Sequence, residues 1–132
     1  MVELGIPGRI VNTSSSVGLC GITTGVAHYG ATKAALSSMT RIASMEYLKE
    51  GIRVNAIAPA VTKTELVEKF IATCPDPKAM AKELMSCNPM SVSSGEFMEV
   101  KDISGVVSFL VGPDARFING QTIPIDGGYS IQ

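Results

Sequence analysis

The spacing of apolar positions changes period several times along this chain, and each change marks an element. Arg9-Ile10-Val11-Asn12 is a short apolar run opening into Thr13-Ser14-Ser15-Ser16, the pattern of a buried strand that ends in a polar loop. A loop carrying Gly18, Gly21 and Gly25 follows, and the spacing then turns helical. Ala31, Ala34, Ala35, Leu36, Met39, Ile42, Ala43 and Tyr47 predict a helix from about Ala27 to Lys49, ended by Glu50-Gly51. Its many small residues predict close approach to neighbours and burial on more than one side. Ile52 to Ala58 reads as a second strand stopped by Pro59. Leu66, Val67, Phe70 and Ile71 recur at helical spacing, Pro77 to Met85 predicts a second short helix, and Asn88 to Glu96 is aperiodic and reads as a loop with a lid role. Ile103, Val106, Val107, Leu110 and Val111 define another amphipathic helix, ended by Gly112-Pro113. Gln121 to Asp126 reads as a third strand before Gly127-Gly128, and Pro124 within it predicts an edge strand.

Strand, helix, strand, helices, strand is the order of an α/β parallel sheet covered by helices on both faces. The expected organisation is one partial domain over residues 1–132, with a cap or lid at about 64–96. Met1 to Leu4, with Gly5 and then Pro7, looks like the last turn of a helix. Four residues cannot nucleate a helix, so this segment reads as the stump of a longer one and the chain as a fragment.

Composition narrows the function classes. With 132 residues, 45% of them hydrophobic and 17% charged, the chain can bury a core without disulfides or metals. No run approaches the ~20 apolar residues of a membrane span. A net charge of -1 offers no basic field for nucleic acid. Cys20, Cys74 and Cys87 are odd in number and lack the Cys-x-x-Cys spacing, which predicts reduced thiols, and with His28 as the one histidine they do not make a zinc cage. The first residues lack a basic segment followed by an apolar core, so no secretory signal is read and a cytoplasmic location is expected.

Candidate chemistry centres on Tyr29-Gly30-Ala31-Thr32-Lys33. The tyrosine and the lysine stand one helical turn apart on the same face. A phenol titrates near ~10, so proton transfer at neutral pH requires a neighbouring positive charge to stabilise the phenolate. At ~4 Å and an effective dielectric near 20, one such charge is worth up to about 4 kcal/mol. The serines that end the first strand can hydrogen-bond the substrate oxygen that the tyrosine protonates. His28 is read as a partly exposed side chain, Met80, Met85, Met90 and Met98 as core or lid packing, and Asp126-Gly127-Gly128 as a tight turn.

In order, Asn12-Thr13-Ser14-Ser15-Ser16-Val17-Gly18, Tyr29 to Lys33, Arg53-Val54-Asn55-Ala56-Ile57-Ala58-Pro59 and Gly120-Gln121 leading to Asp126-Gly127-Gly128 resemble the short-chain dehydrogenase/reductase family. The resemblance runs from Gly8 to the terminus and implies a Rossmann-like doubly wound parallel sheet, here its second half of three strands with covering helices, the N-terminal half missing. It implies an NAD(P)-dependent oxidoreductase moving a hydride between nicotinamide and an alcohol or ketone, with NAD or NADP as cofactor. By the same resemblance Tyr29 is the catalytic acid/base and Lys33 its partner, which also binds the nicotinamide ribose. The substrate-orienting serine is Ser15 when counted from Gly18 and Ser16 when counted back from Tyr29. Pro59, Ala60, Thr62 and Thr64 match the segment that holds the carboxamide, with Ala60 in place of the usual glycine, and Asn55 has a structural role. The long helix matches the one this family uses for subunit contact, so a homodimer or homotetramer is expected. No G-x-G-x-x-G turn for the pyrophosphate and no selector for the adenosine ribose occur in the sequence, which predicts an inactive isolated chain. The competing expectation is a non-catalytic module that associates with other subunits through its long helix.

Overall fold

The first strand, β1 (Arg9–Thr13), leads through a single 3₁₀ turn at Ser16–Gly18 into the helix α1 (Ala27–Glu46), and the chain returns in β2 (Arg53–Pro59). A two-residue strand, β3 (Thr62–Lys63), precedes the helices α2 (Glu65–Thr73), α3 (Pro77–Ser86) and α4 (Pro89–Ser94). The strand β4 (Met98–Glu99), the helix α5 (Val100–Val111) and the strand β5 (Thr122–Ile125) complete the order. The computed structural model describes residues 1–21 and 25–131, so residues 22–24 of the glycine-bearing loop lie outside it.

β2 is the central strand of a parallel sheet in the order β1-β2-β5. Arg9 lies opposite Arg53 and Thr13 opposite Ile57, while Ala56 to Pro59 pair with Thr122 to Ile125. Within this sheet the strand that carries Pro124 is an edge, as expected. A second, two-stranded ribbon joins β3 to β4 and was not foreseen, because two residues are too few to show a period.

Alternation along the strands assigns the two faces. Val11 and Ile57 pack with Leu110, Val106, Val107 and Ala115 on one face, which places α5 there. Asn12 points the other way and donates from Nδ2 to Thr40 Oγ1 at 2.9 Å, which places α1 on the opposite face. Helices therefore cover both faces. Among the described residues, no helix is long and apolar enough to cross a membrane.

Several expectations are corrected. The buried side of α1 is Ser37, Thr40 and Ser44, whereas Met39, Ile42 and Met45 are exposed, so within this chain the helix is not buried on more than one side. Ser37, Thr40 and Ser44 return their hydroxyls to the carbonyls of Lys33, Leu36 and Arg41, which satisfies them without a bulky side chain and lets the helix lie close on the sheet. The helix stops at Glu46, not Lys49, because the chain tightens into a 3₁₀ turn closed by Gly51 at φ 69°. Pro59 is the last residue of β2 instead of a stop before it, since a missing donor at a strand end breaks little of the ladder. Met1 to Leu4 hold a 3₁₀ turn at Val2–Leu4, with Gly5 in the left-handed cap.

The segment expected as a loop, Asn88 to Glu96, contains α4. Asn88 caps it by accepting from Ser91 N–H at 3.2 Å, Pro89 occupies its first turn, and Gly95 closes it at φ 76°. End chemistry makes this helix where apolar periodicity is lacking.

The central strand also buries polar groups. Asn55 is 1% exposed, its Nδ2 donates to the Ile118 carbonyl at 2.9 Å, and its Oδ1 accepts from Gln121 N–H at 3.0 Å. It holds the lead-in to β5, the structural role expected of it. Asn55→Ala leaves a buried carbonyl and a buried N–H unpaired and is expected to cost about 2–4 kcal/mol. Urea unfolding of the 132-residue chain checks this, as a fall in midpoint at constant slope.

Candidate functional site

Because the three paired strands are parallel, the carboxyl ends of β1 and β2 lie at one edge of the sheet, and a cleft of about 630 Å³ opens there. Its floor is Thr13 to Val17 and Pro59 to Thr62, one side is formed by Tyr29 and Lys33 from the first turns of α1, and the other by α2 and α3.

Each polar group of the floor has a definite place. Ser14 extends the ladder beyond β1, its N–H donating to the Ile57 carbonyl at 2.8 Å. Its hydroxyl donates to the Lys33 carbonyl at 2.9 Å and lies 2.8 Å from Ser37 Oγ. Lys33 Nζ donates to the Thr13 carbonyl at 2.7 Å and sits 5.5 Å from the centre of the Tyr29 ring. The ammonium is thus tethered to the strand end while remaining beside the phenol. Tyr29 itself is 41% exposed at the mouth of the cleft.

Two glycines allow the Ser16–Gly18 turn to lie against α1. A Cβ at Gly18 would stand 2.7 Å from the Lys33 carbonyl carbon and 2.8 Å from Ala34 N, distances that no side chain tolerates. At Gly30 it would stand 3.2 Å from Val17. Ser15, immediately before the turn, is buried and extended, and its Oγ accepts from Val17 N–H at 3.4 Å. That contact leaves the hydroxyl hydrogen to donate elsewhere. Ser16 is buried as well and lines the same cleft.

From the end of β2, Pro59, Ala60 and Thr62 reach the cleft, and Thr62 Oγ1 donates to the Ala60 carbonyl at 3.0 Å. Among the described residues no non-glycine has a positive φ, so Ala60 sits in this segment without backbone strain. Thr64 is placed differently. Its hydroxyl caps α2 by accepting from Val67 N–H at 3.3 Å, and it borders a separate hollow with Lys63, Glu65 and Val100. The structure therefore brings Ser15, Ser16, Tyr29, Lys33, Pro59, Ala60 and Thr62 together and leaves Thr64 outside.

The apolar side of the cleft was not foreseen as part of a site. Leu66 and Phe70 stand one turn apart on α2, and with Val67, Leu84 and Cys87 they form its wall. A signal was present. The apolar arc of α2 contains two rows, Leu66 with Phe70 and Val67 with Ile71, of which the second is half-buried and the first exposed. Cys87 is held as a neutral thiol, because burial and then the Glu83 carboxylate push it above the ordinary range. His28 is exposed, and Met98 packs in the interior. Asp126 makes the expected turn, accepting from Gly128 N–H and Ser130 N–H at 3.0 Å each.

A family model described as enoyl-(acyl carrier protein) reductase matches residues 1–130. The chain is 37% identical over 125 residues to diacetyl reductase, the (S)-acetoin-forming enzyme, of Staphylococcus aureus strain Mu50, covering 92% of this chain and 47% of that one. It spans about half the length of the curated relatives it matches. The crystal structure of levodione reductase superposes with a TM-score of 0.84 at 38% identity, covering 99% of this chain and 49% of that chain. ElxO with NADP bound superposes with a TM-score of 0.83 at 34% identity, covering 100% of this chain and 50% of that chain.

Proposed function

The chain belongs to the short-chain dehydrogenase/reductase family, and on that premise we propose that it carries the nicotinamide- and substrate-side half of an NAD(P)-dependent oxidoreductase acting on an alcohol or ketone. The observation that carries this reading is the position of Lys33, whose ammonium is tied to the Thr13 carbonyl at 2.7 Å and stands 5.5 Å from the Tyr29 ring in a cleft floored by serines. Relatives named for the reduction of diacetyl and of levodione are in keeping with a carbonyl substrate.

The donor set suits the nicotinamide riboside end of NAD or NADP. Lys33 offers an ammonium for ribose hydroxyls, and Pro59, Ala60 and Thr62 offer backbone groups and a hydroxyl for a carboxamide, all at the carboxyl ends of parallel strands. The bound dinucleotide supplies or takes the hydride. This chain's residues handle the proton. Tyr29 Oη gives it to, or takes it from, the substrate oxygen, with the Lys33 ammonium standing beside its ring. Ser15 Oγ donates a hydrogen bond to the same oxygen, while Ser14 is engaged by α1 and holds the floor in place. The helices α2, α3 and α4 act as the cap over the substrate.

The sheet described here is the second half of a doubly wound fold in this reading. Its support is the residue content. The chain holds the proton-transfer groups and has no G-x-G-x-x-G turn to receive a pyrophosphate. The exposed row Met39, Ile42 and Met45 on the outer side of α1 is the contact between copies in a homodimer or homotetramer.

In a chain completed with a glycine-rich N-terminal half, Tyr29→Phe is expected to lower turnover by roughly 10²–10⁴-fold with cofactor binding nearly intact, and Lys33→Ala to weaken both. Steady-state kinetics with direct cofactor titration separates the two effects, and unchanged turnover in Tyr29→Phe defeats the assignment. The 132 residues alone are expected to bind neither NAD nor NADP at micromolar concentration, since the remote contacts that position a dinucleotide are not in this chain. Isothermal titration with both nucleotides is the check. Sedimentation at micromolar protein is expected to show a species heavier than the monomer, and a folded, strictly monomeric chain counts against the contact through α1.

A further inference from the structure

We propose that the substrate end of this cleft selects an uncharged carbonyl compound with an apolar body and discriminates against keto acids and phosphorylated carbonyls. The proposal rests on the oxidoreductase reading and names the substrate class of the same site. Leu66 is 78% exposed and Phe70 50% exposed, and both line the same cleft as Tyr29 and Ser15. A single exposed leucine is ordinary, but two large apolar side chains one turn apart on a concave wall, backed by Val67 and Leu84, form a continuous apolar surface.

Charge decides the class. Among the described residues lining the cleft, Lys33 is the one cation and there is no carboxylate. The lysine stands on α1 beside Tyr29, its ammonium bonded to the Thr13 carbonyl at the end of β1, and no cation is contributed to the cleft by α2 or α3. Cys87 at the edge of the wall adds no charge, because burial keeps its thiol protonated. A carboxylate or phosphate carried on the substrate would give up water against Leu66, Phe70 and Leu84 and receive no partner there. A hydrocarbon body in the same place gains from burial, and it leaves the carbonyl oxygen to the hydroxyls of Ser15 and Tyr29.

The test is binding to the 132-residue chain, followed by methyl-labelled NMR. The probes are methyl hexyl ketone and the keto acid in which a carboxylate replaces the terminal methyl of its hexyl chain. The ketone is expected to shift the Leu66, Val67 and Leu84 methyls saturably, and the keto acid to bind at least about tenfold more weakly. Phe70→Lys puts a cation into the wall at a half-exposed position and is expected to narrow or reverse that preference. Leu66→Lys, at the more exposed position, makes the same test if the first variant does not fold. Equal or tighter binding of the keto acid, ketone shifts confined to residues away from the cleft, or a preference untouched in the folded lysine variants overturns the proposal. A completed enzyme with Tyr29-dependent turnover but no such preference overturns the substrate class alone. Preference without turnover leaves the class standing and overturns the oxidoreductase reading.

Discussion

Lys33 is held at both ends, and the arrangement of the cleft depends on that double tie. Its carbonyl receives the Ser14 and Ser37 hydroxyls, and its ammonium reaches the Thr13 carbonyl. The first turns of α1 are thereby fixed to the end of β1, with the Tyr29 ring beside the ammonium. The backbone at its base and the ammonium at its tip are both bonded, so part of the rotamer entropy of a long, flexible side chain is already lost before any ligand arrives. The close packing of Gly18 on the Lys33 backbone belongs to the same seam. So does the row of hydroxyl residues on the buried side of α1, which keeps the helix near enough to the sheet for these bonds to form.

A second polar network, in β2, holds the remaining layers in register with that seam. Arg53 is buried and reaches the carbonyls of Leu110 and Gly112 at the end of α5 and that of Ile118 beyond it. A cation at a helix C-terminus meets the negative end of the macrodipole. Burial, and then Arg9, lower its pKa from the usual guanidinium value. Asn119 accepts from Val54 N–H and donates to the Ser44 carbonyl, which joins the loop before β5 to the central strand and to α1 together. Gly120 passes so near Ser44 that a Cβ there would stand 2.6 Å from its hydroxyl. Helices on opposite faces are thus tied through one strand by neutral and charge-assisted hydrogen bonds.

The cleft consequently has two unlike sides. On the sheet and α1 side, hydroxyls and an ammonium are already oriented by their bonds to backbone. On the α2 and α3 side, apolar groups offer surface without direction. Proton transfer gains from the first kind, since preorganised donors cost little reorganisation when charge develops. The second kind offers hydrocarbon surface and no hydrogen-bond partner. In the proposed oxidoreductase, rigid polar groups on strand ends would serve the reaction and the apolar side the choice of substrate.

By itself the sequence determined the three-stranded parallel sheet, its covering helices, and the one-turn spacing of Tyr29 and Lys33 after a strand that ends in Ser14, Ser15 and Ser16. All of these depend on local order: a period of two or of 3.6, a strand ending in hydroxyl residues, and a one-turn spacing on a helix. It determined the role of Asn55 and the turn at Asp126 as well. Only the tertiary structure decided which face of α1 is buried, because serine and threonine read as surface residues until their hydroxyls are seen returned to the helix carbonyls. Tertiary structure also decided that Asn88 and Gly95 enclose a helix, that Thr64 caps α2 apart from the cleft, and that Leu66 and Phe70 form its wall. These depend on which partner a side chain finds across long stretches of chain, and a one-dimensional pattern carries no distance between residues that far apart.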